Sequence, residues 1–234
     1  SDSKEAARYF KMAVDNGNQD AMSNYTNMLE NGDGGSSSKE DKAHYYKVAA
    51  DNGDMKAMYR YGKILKNGDG VSTNKAEAAR YLKMAADKGH SDAMYDYALM
   101  LNSGDGISTN KSEAVRYFKM AADKGDQYAM FYYAYKVEYG DGVSQNYEEA
   151  LRYYKMSLDK GNRDAMNNYG VMLEKGKGIS ENKSEAARYY KLSADKGNKD
   201  AMNNYGVMLH NGTGVSVNYP EAAKYYKMAI DKGN

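Results

Sequence analysis

The feature that most constrains this chain is an internal period of 36 residues. The pair Ala-Met recurs at Ala21, Ala57, Ala93, Ala129, Ala165 and Ala201 with no insertion or deletion between copies, and a Tyr follows each Ala at Tyr25, Tyr61, Tyr97, Tyr133, Tyr169 and Tyr205. A second segment keeps the same register, written out at Glu77-Ala78-Ala79-Arg80-Tyr81-Leu82-Lys83-Met84-Ala85-Ala86-Asp87-Lys88-Gly89 and repeated around Tyr9, Tyr45, Tyr117, Tyr153, Tyr189 and Tyr225. A period of this length marks one supersecondary unit that cannot bury its apolar face alone and must stack on its neighbours.

Each period reads as two helices. In the first, A, Ala93, Met94, Tyr97, Met100 and Leu101 gather on one side of a 3.6-residue helix; in the second, B, Ala78, Tyr81, Leu82, Ala85 and Ala86 do the same. Helix B opens at Asn followed three residues later by Glu, as in Asn74 with Glu77 and Asn146 with Glu149, the spacing of a capping box. The only proline, Pro220, falls in a first turn, where a missing N–H costs nothing. Helix A closes at glycines such as Gly68 and Gly140, and helix B at Gly53, Gly89 and their copies, because glycine admits the left-handed residue that ends a helix. A mid-helix Gly at Gly62, Gly170 and Gly206 predicts a close steric approach there.

The pattern predicts an all-α array of thirteen helices over residues 1–234, with no domain boundary. A partial repeat at 1–18 precedes six A–B pairs at 19–54, 55–90, 91–126, 127–162, 163–198 and 199–234. The array starts in mid-repeat and closes at a repeat boundary with neither end rewritten as a polar cap. That leads us to expect a longer array, or ends that pair with other molecules.

Composition narrows the function. Lys plus Arg at 33 against Asp plus Glu at 32 gives a formal charge of +1, so no long-range field draws the chain to nucleic acid or an anionic membrane. No apolar run approaches the length of a membrane span, and the start lacks the pattern of a signal peptide. With no cysteine there is no disulfide or thiolate metal site, which favours a reducing, cytoplasmic setting.

The run Ala-Met-x-x-Tyr-Gly-x-Met-Leu, with its Gly-x-Gly-Val loop, Glu-Ala-x-x-Tyr-Tyr-x-Lys helix and Asp-x-Gly ending, resembles the Sel-one-like repeat, a relative of the tetratricopeptide repeat, over the whole chain. The resemblance implies an α/α right-handed superhelix, a solenoid of helix-turn-helix repeats with A helices on its concave side. It also implies a non-enzymatic adaptor role. Gly35 departs from the family by replacing the loop Val of the first complete repeat, which predicts weaker packing there.

Other chemistries find little support. The NGDGVSTNK loops lack the Gly-Lys-Ser or Gly-Lys-Thr ending of a phosphate loop, and Val71, Lys75 and Ala78 break the oxygen pattern of a calcium loop. His44, His90 and His210 occupy different repeat positions with no partner at ligand or triad spacing, so neither a metal, a cofactor nor catalysis is expected. The recurring Tyr-Tyr of helix B belongs by its spacing to the inter-repeat core rather than to a base-stacking platform.

One helix stands apart. In Gln127–Tyr139 the positions Tyr128, Tyr132, Tyr135 and Tyr139 form a stripe away from the core side of Ala129, Met130, Tyr133 and Val137, with Phe131 beside it. The matching positions one repeat earlier are Asp92, Asp96, Leu99 and Ser103. Lys136 stands where other repeats carry Met or Ile, so its charge is expected to extend outwards past the stripe. Neighbouring A helices present Tyr59 and Tyr95 on one side and Asn167, Asn168, Asn203 and Asn204 on the other, amides suited to the backbone of an extended peptide.

Exposed aromatic surface of this kind marks interfaces, and Tyr is a favoured anchor. The favoured function is therefore a scaffold that binds a peptide segment or helix of a protein partner on its A-helix face. Two alternatives are a structural array that self-associates end to end and recognition of carbohydrate by the tyrosines. Alanine at Tyr132 and Tyr135 is expected to remove binding while leaving thermal stability nearly unchanged.

Overall fold

A computed structural model describes residues 2–32 and 38–233. Among them are thirteen helices and no strand: α1 (Asp2–Asp15), α2 (Gln19–Asn31), α3 (Lys39–Asp51), α4 (Met55–Asn67), α5 (Lys75–Asp87), α6 (Ser91–Ser103), α7 (Lys111–Asp123), α8 (Gln127–Tyr139), α9 (Tyr147–Asp159), α10 (Arg163–Lys175), α11 (Lys183–Asp195), α12 (Lys199–Asn211) and α13 (Tyr219–Asp231). The even-numbered helices are the A helices of the sequence pattern and the odd-numbered ones the B helices. The expectation attached to Gly35 falls outside the described residues. The chain divides into two compact units, Ser1–Tyr117 and Phe118–Asn234.

In the first unit the repeat chemistry builds the core directly. The A-helix tyrosines meet the following B-helix tyrosines edge to face, Tyr25 on Tyr45, Tyr61 on Tyr81 and Tyr97 on Tyr117, with ring centroids 4.8–4.9 Å apart. Each such pair adds about 0.5–1.5 kcal/mol to its area burial. The B-helix phenols then reach back 30 residues to fasten neighbouring B helices: Tyr45 donates to Asp15, and Tyr81 donates to Asp51. That acceptor is also held by Lys47 four residues before it. Ala49, Ala50, Ala78, Ala85 and Ala86 are fully buried, which is why small residues recur at those places.

The second unit repeats the scheme. Tyr133 meets Tyr153 at 4.6 Å, Tyr205 meets Tyr225 at 4.9 Å, and Tyr153 donates to Asp123 at 2.7 Å. The mid-helix glycines have a definite steric reason, and the nearest obstacle is a side chain. A Cβ on Gly206 would lie 2.8 Å from the Tyr226 ring, and one on Gly170 would lie 3.0 Å from that of Tyr190.

The helix ends follow the sequence pattern with one difference. Asn74, Asn146, Asn182 and Asn218 each cap a B helix by accepting from the backbone N–H three residues on. A capping box would send the Glu side chain to the Asn backbone N–H. Here that N–H is already taken by a carbonyl of the preceding A helix, Asn74 by Leu65 and Asn146 by Val137. The Glu turns to the Asn side-chain amide in some repeats, as Glu77 does to Asn74, and Glu149 takes the hydroxyl of Tyr133 instead. The second glycine of the Gly-x-Gly loop is fixed by packing as well as by conformation: Gly70 has φ +80°, and a Cβ there would meet the Lys39 backbone at 2.3 Å.

Candidate functional site

The aromatic helix α8 lies in the second unit, and its core side is as expected: Ala129, Met130, Tyr133, Ala134 and Val137 are buried. Asp126 caps it by accepting from Tyr128 and Ala129 N–H. The stripe separates into two kinds of residue. Tyr128, Tyr135 and Tyr139 are 53%, 40% and 54% exposed, whereas Phe131 and Tyr132 are half-buried.

Tyr132 lies flat on Phe118, with centroids 5.2 Å apart and planes at 10°. Phe131 packs against Tyr132, Tyr135 and the buried Tyr154. Tyr135 and Tyr139 touch at 4.7 Å. The outer pair therefore stands on a floor of inner rings that face the α7 and α9 side chains, and its own rings are held in place before any ligand arrives. Such fixed aromatic area costs little conformational entropy on binding.

Lys136 corrects the sequence expectation. It is only 5% exposed and does not extend past the stripe; its ammonium turns into the loop and bonds Asp141 Oδ2. The loop aspartate offers a carboxylate two residues beyond the helix end, which satisfies the charge at less cost than a path across four aromatic rings.

Asn167 differs in a similar way. It is buried, donates to Asn168 and accepts from Asn204 Nδ2 at 3.0 Å, while Asn168 donates to the Tyr154 hydroxyl at 3.0 Å. These three amides hold α9, α10 and α12 together, and Asn203 alone is exposed. In the first unit Tyr59 stacks on His90 at 4.5 Å and Tyr95 is half-buried.

Sequence reasoning did not single out two residues that support the stripe from below. Glu138 is buried with 1% exposure; it accepts from the Tyr154 hydroxyl at 2.9 Å and from Lys177 Nζ at 3.1 Å. Burial, together with the charge of Glu138, pushes the Tyr154 phenol far above its ordinary pKa, so it remains a donor. Lys177 also lies over the rings of Tyr139 and Tyr147, at 5.6 and 5.5 Å, and so fixes the exposed end of the stripe.

A signal for both existed in the repeat itself. Glu30, Glu138 and Glu174 accompany Tyr46, Tyr154 and Tyr190, whereas Lys66 and Asn102 accompany Leu82 and Phe118; only the last copy, His210 with Tyr226, departs from this. Likewise Lys39 pairs with Asp69 and Lys75 with Asp105, while at the matching places Tyr147 and Lys177 have exchanged both partners. Among the described residues no group of three His, Asp or Glu could hold a metal ion, and no helix is long and apolar enough to cross a membrane.

A family model described as the Sel1 repeat matches residues 1–18, 19–54, 56–90, 91–126, 127–162, 163–198 and 199–234. Among solved structures, a protective antigen present in uropathogenic Escherichia coli strains, displaying an SLR fold, is 26% identical with a TM-score of 0.85 over 97% of this chain and 49% of its own. The chain thus spans about half the length of that antigen. A Sel1 repeat protein from Oxalobacter formigenes is also 26% identical, with a TM-score of 0.78 over 83% of this chain and 80% of its own. An immunity protein from Pseudomonas aeruginosa, 18% identical with a TM-score of 0.52 over 82% of this chain and 73% of its own, shares the fold. No curated protein sequence matches the chain significantly.

Proposed function

Since this chain belongs to the Sel1 repeat family, whose members generally mediate protein–protein interaction and are typically non-enzymatic scaffolds, we propose that it is an adaptor that binds a peptide segment or helix of a partner on the α8 face of its second unit. The observation that carries this reading is the exposure of Tyr128, Tyr135 and Tyr139 on one helix. The copies of these positions in α10 are Asp164, Val171 and Lys175. Exposed aromatic surface of this density is unfavourable in water unless something covers it, at roughly 25 cal/mol per Å². Phe131 and Tyr132 support the outer rings.

End-to-end self-association is the competing reading. The two separate cleanly. Selection from a displayed random-peptide library should yield sequences that bind the intact chain in the micromolar range and lose at least ten-fold in affinity to Tyr135→Ala/Tyr139→Ala. A library that yields no binder, together with a sedimentation coefficient that grows with concentration, would reverse the preference.

A further inference from the structure

At the N-terminal end of the α8 stripe, within the second unit, lies a pocket of 390 Å³ bordered by Tyr128, Asn162, Arg163, Asp164 and Lys196. Asn162 caps α10: its Oδ1 accepts from the N–H groups of Asp164 and Ala165 at 2.9 and 3.0 Å. The residue is 5% exposed, and its Nδ2, shielded from solvent, has no hydrogen-bond partner among the described residues; a ligand reaches it as the side chains around the pocket shift. A buried amide donor without an acceptor is unfavourable, and native folds rarely leave one.

The next repeat contains the same pocket with its acceptor in place. There Asn198 caps α12 in the same manner, and its Nδ2 donates to Asp164 Oδ1 at 2.7 Å. The residue that should serve Asn162 is the copy of Asp164 one repeat earlier, which is Tyr128. Four of the six copies of this position are Asp, at Asp20, Asp92, Asp164 and Asp200. Replacing the acid by Tyr128 removed a carboxylate and left its donor behind.

The surroundings suit an anion. The Lys196 ammonium lies 3.9 Å from where a Gly161 Cβ would stand, and no carboxylate pairs with it among the described residues. Arg163 flanks the pocket, its Nη1 donating to the Lys196 and Gly197 carbonyls at 3.3 and 3.4 Å. Asp164 is the one acid among the described residues of the pocket, and its Oδ1 is held by Asn198 Nδ2 at 2.7 Å and by Arg163 Nε at 3.7 Å.

We propose that this pocket takes a carboxylate of the partner, the side chain of an Asp or Glu that replaces the missing acid on Asn162 Nδ2 with Lys196 as its counter-charge. The proposal rests on the reading of α8 as a peptide-binding face and sharpens it: the bound segment carries an acidic residue at its end nearest Tyr128, followed by apolar residues over Tyr135 and Tyr139. From Tyr128 to Tyr139 is about 16 Å of helix at 1.5 Å per residue, the reach of about five extended peptide residues.

The test uses the intact ¹⁵N-labelled chain. The Asn162 side-chain amide protons are assigned by comparison with Asn162→Asp, which retains a capping carboxylate. N-acetyl-aspartate amide, N-acetyl-asparagine amide and inorganic phosphate are titrated in turn. The aspartate derivative should move the Asn162 amide protons saturably, at least ten-fold more tightly than the asparagine derivative and more tightly than phosphate. Tyr128→Asp, which supplies the Asp found at four of the six copies, should abolish the response.

Equal responses to aspartate and asparagine derivatives, no saturable response, or a response that survives Tyr128→Asp would overturn the proposal. Tighter saturation by phosphate would replace the carboxylate by a phosphoryl ligand and overturn it too. The probe is too short to reach Tyr135, about 10 Å along the helix. The Asn162 response is therefore independent of peptide binding along α8, and either reading can fail without the other.

Discussion

Replacing Tyr154 by Phe isolates the polar support beneath the aromatic face. The phenol oxygen sits at the centre of three residues: it donates to the buried Glu138 carboxylate at 2.9 Å and accepts from Asn168 Nδ2 at 3.0 Å. A bond to a charged acceptor contributes about 1.5–3 kcal/mol and a neutral one about 0.5–1.5 kcal/mol. Two terms reduce the sum. Glu138 keeps Lys177 on its other oxygen at 3.1 Å, and the half-buried Asn168 can recover a water.

The ring itself creates no cavity, because Phe118 occupies the same repeat position fully buried. A loss of about 2–3 kcal/mol follows for Tyr154→Phe. Urea unfolding followed by far-UV circular dichroism measures it, with an unchanged m-value as the check that only stability has moved. Glu138→Gln in a double-mutant cycle should give a coupling of about 1.5 kcal/mol, since the residues are in contact. A Tyr154→Phe variant within 0.5 kcal/mol of the wild type, or two strictly additive changes, would refute the view that Glu138 is buried for the sake of this bond.

Three further outcomes follow from other parts of the molecule. His90 caps α6 by accepting from Ala93 N–H and lies against Tyr59; burial lowers its pKa, with Arg60 and Lys56 adding to this against the pull of Asp92. Because the folded pKa is below the unfolded value of about 6.5, the unfolded state binds more protons, and stability present above pH 6.5 is lost as pH falls towards the folded pKa; thermal melts of His90→Asn should lack that loss. Asp51, Asp87 and Asp123 are opposed by burial but held below the usual carboxylate range by the Lys and Tyr bonds each receives, so stability should hold at neutral pH and fall as pH drops below about 4, through the unfolded and then the folded values. Gly70→Ala should cost at least 2 kcal/mol by urea titration, twice the cost of Gly53→Ala: both have positive φ, but a Cβ at Gly70 meets the Lys39 backbone at 2.3 Å while Gly53 has open space.

Much of this molecule could be read from its repeat. Helix spans, glycine closures and the tyrosine core all follow from rules that act within one turn or one repeat, and a strict period states them six times over. What the period conceals is compensation at a distance. Lys136 was legible as an odd charge in an apolar slot, but Asp141 is common to several loops and gave no sign that it would turn back to meet it.

Glu138 looked like one of several polar residues at a variable place until its partners, 16 and 39 residues away, were known. Asn162 is an ordinary capping residue in sequence, and its orphan amide arises from a substitution 34 residues earlier, at Tyr128. Reading each repeat against its neighbours finds what differs. Finding what each difference does requires the pairs of positions that change together.

In the proposed function the outer tyrosines of α8 serve a partner and the inner ones serve the fold. Tyr132 and Tyr135 are therefore expected to behave differently, although the sequence groups them together. The most direct measurement determines melting temperature and affinity for a selected peptide in parallel on Tyr135→Ala/Tyr139→Ala and on Tyr132→Ala. The double variant should melt within about 2 °C of the wild type and lose at least ten-fold in affinity, and Tyr132→Ala should be destabilised by about 2 kcal/mol through loss of its stack on Phe118. A double variant that melts much lower while binding the peptide unchanged would mean that the exposed rings are part of the packing, and would contradict this reading.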